Sequence, residues 1–229
     1  MKDVVLIVGA GPGLSAAIAR RFTREGAAVA LAARSIEKLR PLAREAGASV
    51  FACDATRPES VNALFDEVAR AVGEPNIVIY NAGYRVRGAF AELDPGGVER
   101  TVAICAFGGF LVGQAAVRRM LPRGAGVILL TGASASIKGY AQSAPFAMGK
   151  FALRGLAQSM ARELAPRGIH VAHVIVDGAI RPPDQVADPA RPDSMLEPDA
   201  IAETYYHLAH QPKSAWSWEI ELRPWVEKF

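Results

Sequence analysis

Cysteine is almost missing from this chain of 229 residues: only Cys53 and Cys105 occur, in strand-like and helix-like stretches. That excludes a disulfide framework, and a reducing cytoplasm is the expected setting. Long hydrophobic runs are missing too. The opening run Val4–Val8 breaks at Gly9, too short for a secretory leader and better read as a buried first strand. No stretch approaches the roughly 20 apolar residues of a membrane span, so no membrane partner is expected. The net charge of +3 and the pI near 9.0 come from 26 lysines and arginines scattered along the chain. With no basic run among them, neither nucleic acid nor an anionic membrane surface is an expected partner. Internal repeats and low-complexity tracts are absent. What is present is 51% apolar against 21% charged residues, enough to bury a substantial core in one globular domain over residues 1–229.

Short β-branched runs alternate with longer helical patterns. The strand candidates are Val4–Val8, Ala27–Ala33, Ser49–Ala52, Asn76–Tyr80, Gly126–Thr131 and His170–Val176. Between them the periodicity predicts helices near Leu14–Arg24, Ile36–Glu45, Glu59–Ala71, Val98–Met120 and Pro145–Leu164. Continuous apolar strands separated by helices point to an α/β fold: a doubly wound, Rossmann-like, mostly parallel sheet with helices on both faces. Residues 181–198 hold five prolines and no clear period, which reads either as a mobile substrate loop or as a poorly ordered stretch.

The chemistry-bearing motifs follow the strands. Gly9-Ala10-Gly11-Pro12-Gly13-Leu14-Ser15 lies after the first strand and opens the first helix. It departs from G-x-G-x-x-G because Leu14 takes the third glycine's place, and it fits G-x-x-x-G-x-G with Ser15 in the last position. Such a turn lets the backbone approach a pyrophosphate, whose charge meets the helix N-terminus. An ordinary strand-to-helix turn would also explain it in isolation. After the second strand, Ala33 stands where NAD-preferring enzymes place a carboxylate, and Arg34 is suited to a 2′-phosphate. NADP(H) is therefore favoured, with NAD(H) possible; the plainer reading has Arg34 capping a surface turn. Asp54, followed by Ala55, ends the third strand and is suited to accept from an adenine amino group. Asn81-Ala82-Gly83 ends the fourth, where small residues let a ribose lie against the backbone.

On these motifs, together with Phe146–Lys150, Ala157–Leu164 and Gly168-Ile169-His170-Val171, the chain resembles the short-chain dehydrogenase/reductase family over essentially its whole length. The resemblance implies about seven parallel strands in a single domain. It also implies a small-molecule substrate and a homodimer or homotetramer built through the fourth and fifth helices. The cofactor set it implies adds Gly178, Ile180 and Lys150 to the residues above. The family's usual active site is Asn-Ser-Tyr-Lys: tyrosine as acid or base, serine on the substrate oxygen, lysine on the nicotinamide ribose, and asparagine holding a relay water.

Carried over residue by residue, only Lys150 survives. The tyrosine position, four residues before the lysine, is Phe146; the serine position is Ala133; the asparagine position is Cys105. After the sixth strand Asp177 replaces a proline, and Pro182 replaces a threonine that commonly touches the pyrophosphate. Ser134, beside the vacated serine position, is the first candidate for substrate contact and Tyr140 a distant candidate for the acid, with Ser136 and Tyr84 behind them. For each of these an ordinary loop hydroxyl is the plain alternative. No metal site is expected. His170 and His173 point to opposite faces of a strand, while His207 and His210 share a helical face without a third ligand. The C-terminal aromatics Tyr205, Tyr206, Trp216, Trp218, Trp225 and Phe229 fit docking of the last elements or a subunit interface.

The expectation is an NADP(H)-dependent oxidoreductase acting on a small carbonyl, alcohol or activated double bond through a degenerate site. The opposing reading is a protein that binds or senses NADP(H) with little or no turnover.

Overall fold

The computed structural model describes residues 2–227, so Phe229 lies outside the described residues. Seven strands form a single sheet: β1 (Val4–Val8), β2 (Ala28–Ala33), β3 (Ser49–Ala52), β4 (Ile77–Tyr80), β5 (Gly126–Thr131), β6 (Ile169–Val176) and β7 (Glu219–Leu222). Their order is β3-β2-β1-β4-β5-β6-β7, and every pairing is parallel. Seven α-helices connect them: α1 (Leu14–Arg24), α2 (Arg40–Ala46), α3 (Pro58–Ala71), α4 (Pro95–Val102), α5 (Gly108–Met120), α6 (Ala144–Leu164) and α7 (Pro198–Ala209).

The sheet has a core on each side, which is why its central strands read as unbroken apolar runs. Val5, Ile7, Val29 and Leu31 pack with α1, α2 and α7. Leu6, Val8, Val78 and Tyr80 pack on the opposite side with α3, α5 and α6. The strand order reverses between β1 and β4, so the crevice at their C-terminal ends is where this architecture receives ligands.

The strand candidates fall within one residue of the observed strands, and the helices depart where local chemistry intervened. The expected Ile36–Glu45 helix begins at Arg40, because Pro41 belongs in a first turn and residues 36–39 form a separate turn. The expected Val98–Met120 helix begins at Pro95, where the Asp94 carboxylate accepts from Gly97 N–H at 2.7 Å. It is then interrupted by a π-helical turn at Ala103–Phe107.

The cause of that turn lies in β4. Tyr80 is fully buried and donates its hydroxyl to the Ile104 carbonyl, the acceptor that Gly108 N–H would use in a regular α-helix. Gly108 N–H instead reaches Ala103 O, five residues back. Position 108 tolerates only glycine, since a β-carbon there would lie 2.3 Å from the Tyr80 hydroxyl.

The helical stretch Pro95–Arg123 runs 29 residues, and its most apolar 18-residue window has a mean hydropathy of 1.5, long and apolar enough by length and composition to cross a membrane. That corrects the expectation that no such stretch exists. Half of its most apolar window is buried in the body, as in the core helix of a sheet protein. Residues 181–197 carry no regular structure but are pinned at both ends. Ile180 bridges Leu196, and Arg181 pairs with Glu197 while donating to Gln185 O at 2.7 Å. Pro198, expected in that loop, begins α7.

Candidate active site

The crevice is organised by the turn after β1. Gly9 has φ +84°, and a β-carbon on it would sit 2.3 Å from Ala82 N, so β1 leaves the sheet pressed against the segment that follows β4. Gly11 and Gly13 are different. A β-carbon at either would meet no protein atom within 4 Å, and neither has a left-handed backbone. Protein packing does not demand glycine at these two positions, whereas close approach of a ligand to the backbone would. Gly13 caps α1 without a side-chain bond to its N–H groups, and no acidic residue stands in the first turn. Open glycines, free N–H donors and the positive end of a helix fit a dinucleotide pyrophosphate.

Ser15 has a role that its place in the motif did not disclose. Its buried hydroxyl accepts from Asn81 Nδ2 at 2.8 Å and faces Gly9 O at 3.5 Å, tying the β4 segment to the turn.

To one side, a cavity of about 200 Å³ brings together Gly9, Arg34, Asp54, Ala55, Ala82 and Gly83. Oδ1 of Asp54 accepts from the Thr56 hydroxyl at 2.7 Å and Thr56 N–H at 3.0 Å, and these bonds hold its pKa below the usual carboxylate range. Oδ2 has no hydrogen-bond partner among the described residues. Arg34 forms no ion pair with a described residue. A carboxylate oxygen with spare acceptor capacity and an uncommitted guanidinium fit an adenosine carrying a phosphate.

On the other side lies a cavity of about 440 Å³. It joins Gly13, Leu14, Asn81, Gly178 and Ile180 of the expected cofactor set to Ala133, Ser134, Tyr140 and Phe146 of the expected catalytic set. Pro12 lines a neighbouring surface cleft with Gly13 and Arg181. The side chains of Ser134 and Tyr140 have no hydrogen-bond partner among the described residues, so both hydroxyls are available to a substrate.

The remaining candidates sit elsewhere. Lys150 is buried behind this cavity and donates from Nζ to the Thr131 carbonyl at 2.8 Å. Its ammonium lies 5.7 Å from the Phe146 ring centroid. Burial pushes its pKa down, opposed by the Cys105 thiol. Cys105 packs against Gly149, where an added β-carbon would come within 2.6 Å of its own, and its Sγ lies 3.4 Å from Tyr84 O. Tyr84 holds the Arg100 guanidinium 4.7 Å from its ring centroid. Asp177 is nearly buried and paired with Arg223 at 2.8 Å and Lys138 at 3.3 Å, so it latches the end of β6. Gly178, at φ +150°, would place a β-carbon 2.8 Å from Pro224.

Ser136 is fully buried in a chain of polar groups beneath the cavity floor. His173 Nδ1 stands 3.0 Å from Glu219 Oε2, and Glu219 receives both Nε and Nη2 of Arg154 at 2.6 and 2.7 Å. A carboxylate only accepts, so the proton rests on Nδ1 and the bare Nε2 accepts from Ser136 Oγ at 3.3 Å. Ser136 Oγ in turn accepts from Ala133 N–H at 3.2 Å. The order resembles an acyl-transfer triad, but the hydroxyl has no exposure. Its effect is to fix the backbone at Ala133 and Ser134.

The other histidines do not converge. His170 stacks on Trp216 at 4.8 Å on the far face of β6; His207 pairs with Glu203 and His210 with Asp3. Of the aromatics, Tyr205 bonds Thr131 Oγ1 at 2.7 Å from inside the core, Tyr206 carries the Arg21 guanidinium, and Trp225 donates to Asp193. Trp218 lies beneath Arg154 at 5.8 Å.

One cleft residue went unnoticed in the sequence. Arg85 follows Asn81-Ala82-Gly83 and lines the 440 Å³ cavity, with its guanidinium 5.1 Å from the Phe146 ring centroid. A basic residue just beyond a strand's C-terminal end was the available signal.

Comparison with known proteins agrees with this geometry. The family model described as short chain dehydrogenase matches residues 3–185. A cyclic-di-GMP-binding biofilm dispersal mediator protein of Escherichia coli K12 is 33% identical over 187 residues, covering 81% of this chain and 75% of its own. A short-chain dehydrogenase from Rhodopseudomonas palustris superposes with a TM-score of 0.83 at 36% identity, over 97% of this chain and 99% of its own. An alcohol dehydrogenase from the archaeon Thermococcus sibiricus, complexed with 5-hydroxy-NADP, superposes at 0.86 with 26% identity, over 100% and 99%. With its fold, its glycine turn and most of its length in agreement, the chain belongs to the short-chain dehydrogenase family.

Proposed function

We propose that this protein is an NADP(H)-dependent oxidoreductase acting on a small carbonyl, alcohol or activated double bond, with an altered acid–base site. The observation that carries the reading is the pair of cavities flanking the Gly9–Gly13 turn. One offers Arg34 and Asp54, the other Ser134 and Tyr140, with Lys150 behind it. The 5-hydroxy-NADP bound to the Thermococcus sibiricus relative supports the cofactor assignment.

When bound, the reduced cofactor supplies hydride to a carbonyl carbon while the oxygen takes a proton from water, giving the alcohol and the oxidised cofactor. The chain's own residues bind and orient. The α1 N-terminus and Gly11–Gly13 receive the pyrophosphate, Arg34 the 2′-phosphate, and Ser134 and Tyr140 the substrate oxygen. The buried Ser136–His173–Glu219 chain keeps Ala133 and Ser134 in place. Lacking a general acid costs about 10²–10⁴-fold, so a slow enzyme is expected. The test is fluorescence titration with NADPH and NADH, followed by NADPH oxidation against ketones, quinones and enones. Failure to bind either nucleotide would overturn the reading.

A second reading, binding or sensing of NADP(H) without turnover, is favoured by Phe146, Ala133 and Cys105 at the family's Tyr, Ser and Asn positions. Tight NADPH binding without oxidation across the panel would select it.

A further inference from the structure

The 440 Å³ cavity carries an unbalanced positive charge. Among the described residues its lining contains two arginines and no carboxylate. Arg181 is committed, its Nε and Nη2 to Glu197 and its Nη1 to Gln185 O. Arg85 is not. Among the described residues its only hydrogen bond is a long one, from Nη2 to Ser143 Oγ at 3.5 Å, and it has no acidic partner. Its guanidinium lies against the Phe146 ring, and partial burial together with nearby Arg87 pushes its pKa down. A planar cation that keeps most of its donors free and leans on an aromatic face is arranged to receive a planar anion bidentately.

The turn fitted to the cofactor's pyrophosphate is Gly9–Gly13, whereas Arg85, in the same cavity, touches Phe146 and Ser143. Resting on the oxidoreductase reading above, we infer that the substrate is an oxo acid or hydroxy acid whose carboxylate is received by Arg85 and whose reacting oxygen faces Ser134. The same contact accounts for Phe146. An apolar ring supports the guanidinium from below without competing for its donors.

The test uses the full-length protein saturated with NADPH, titrated with pyruvate, acetoacetate and levulinate and with the methyl ester of each. Binding is read from the change in NADPH fluorescence, with oxidation recorded in parallel. At least one acid should bind about tenfold or more tightly than its ester. Arg85→Gln should bring that ratio close to one, and Arg85→Lys should retain part of it. NADPH affinity should be unchanged in both variants, which also reports that they fold. An ester bound as well as its acid, an acid preference that survives in Arg85→Gln, or no binding by any probe to the NADPH complex would overturn the inference and leave the cofactor reading standing. Loss of NADPH affinity in Arg85→Gln would overturn it by assigning Arg85 to the cofactor. Absence of NADPH binding in the wild type would bring down both.

Discussion

Ser136 Oγ and His173 Nε2 lie 3.3 Å apart directly under Gly132, where a β-carbon would come within 2.3 Å of that nitrogen. The contact joins β6 to the loop after β5 and continues through Glu219 to the edge strand and Arg154. The loop carrying Ala133 and Ser134 is thus held from below by a histidine that burial keeps neutral, and that neutrality is measurable.

Burial pushes His173 from the ordinary 6.5 to about 4, outweighing the Glu219 bond that raises it. The folded pKa is depressed, so between those values the unfolded chain binds more protons, and stability falls as pH drops through that window. The full window is worth at most about 3 kcal/mol. Urea denaturation from pH 7 to pH 5 should show a steeper loss in wild type than in His173→Gln, with their stabilities converging. His170, also lowered by burial, titrates in both proteins and cancels in the comparison. Parallel pH curves would show that His173 is not held neutral.

Arg34 should decide between the two nicotinamide nucleotides. Arg34 makes no ion pair among the described residues and Asp54 keeps its Thr56 hydrogen bonds without it, so its removal leaves no carboxylate without partners. Arg34→Ala should therefore weaken NADPH by about 1.5–3 kcal/mol while leaving NADH affinity and thermal stability nearly unchanged. Equal losses for both nucleotides, or tighter NADH than NADPH binding in the wild type, would refute the assignment.

Adding a phenol at position 146 and a hydroxyl at position 133 tests the proposed altered site. A phenol at position 146 would lie close to both Arg85 and Lys150, whose charges favour its anion and so lower its pKa. Phe146→Tyr combined with Ala133→Ser should raise kcat for carbonyl reduction tenfold or more, within the roughly 10²–10⁴ expected of general acid catalysis. Wild-type activity equal to the double variant would mean that another group already delivers the proton. Ser134→Ala and Tyr140→Phe would then identify it.

The apolar surface predicts a dimer or tetramer. Phe107, Phe110, Met148 and Phe151 stay exposed on the helices around the π-helical turn and α6, and Phe107 stacks on Phe110 at 6.1 Å. Beside them an apolar groove runs from Phe90 to Met148. A second copy of the chain covering this face should give a light-scattering mass that is a multiple of 24.3 kDa, and Phe151→Glu should shift it toward the monomer. A wild-type mass near 24.3 kDa would disprove the association.

Fold class was legible because its signals are local. Val5–Val8 and Ile128–Leu130 are buried between the two helical layers, so each had to be apolar, and Gly9 had to be glycine to turn against Ala82. The expectation of an altered site at Phe146 rests on the same kind of signal, since it is a matter of spacing from Lys150. Other features depended on residues far apart in sequence. The π-helical turn at Ala103–Phe107 exists because Tyr80, some twenty residues earlier, takes the Ile104 carbonyl. Edge strand β7, only four residues with two glutamates, shows as a strand only once β6 offers it a ladder. The sequence determined the sheet and the glycine turn. Tertiary packing decided that Ser136 faces His173 rather than the cleft, that Lys150 donates to Thr131, and that Arg85 lies over Phe146 without a carboxylate partner among the described residues. Hydrogen-bond partners and burial are set by where the strands bring distant segments together, and no local pattern encodes that.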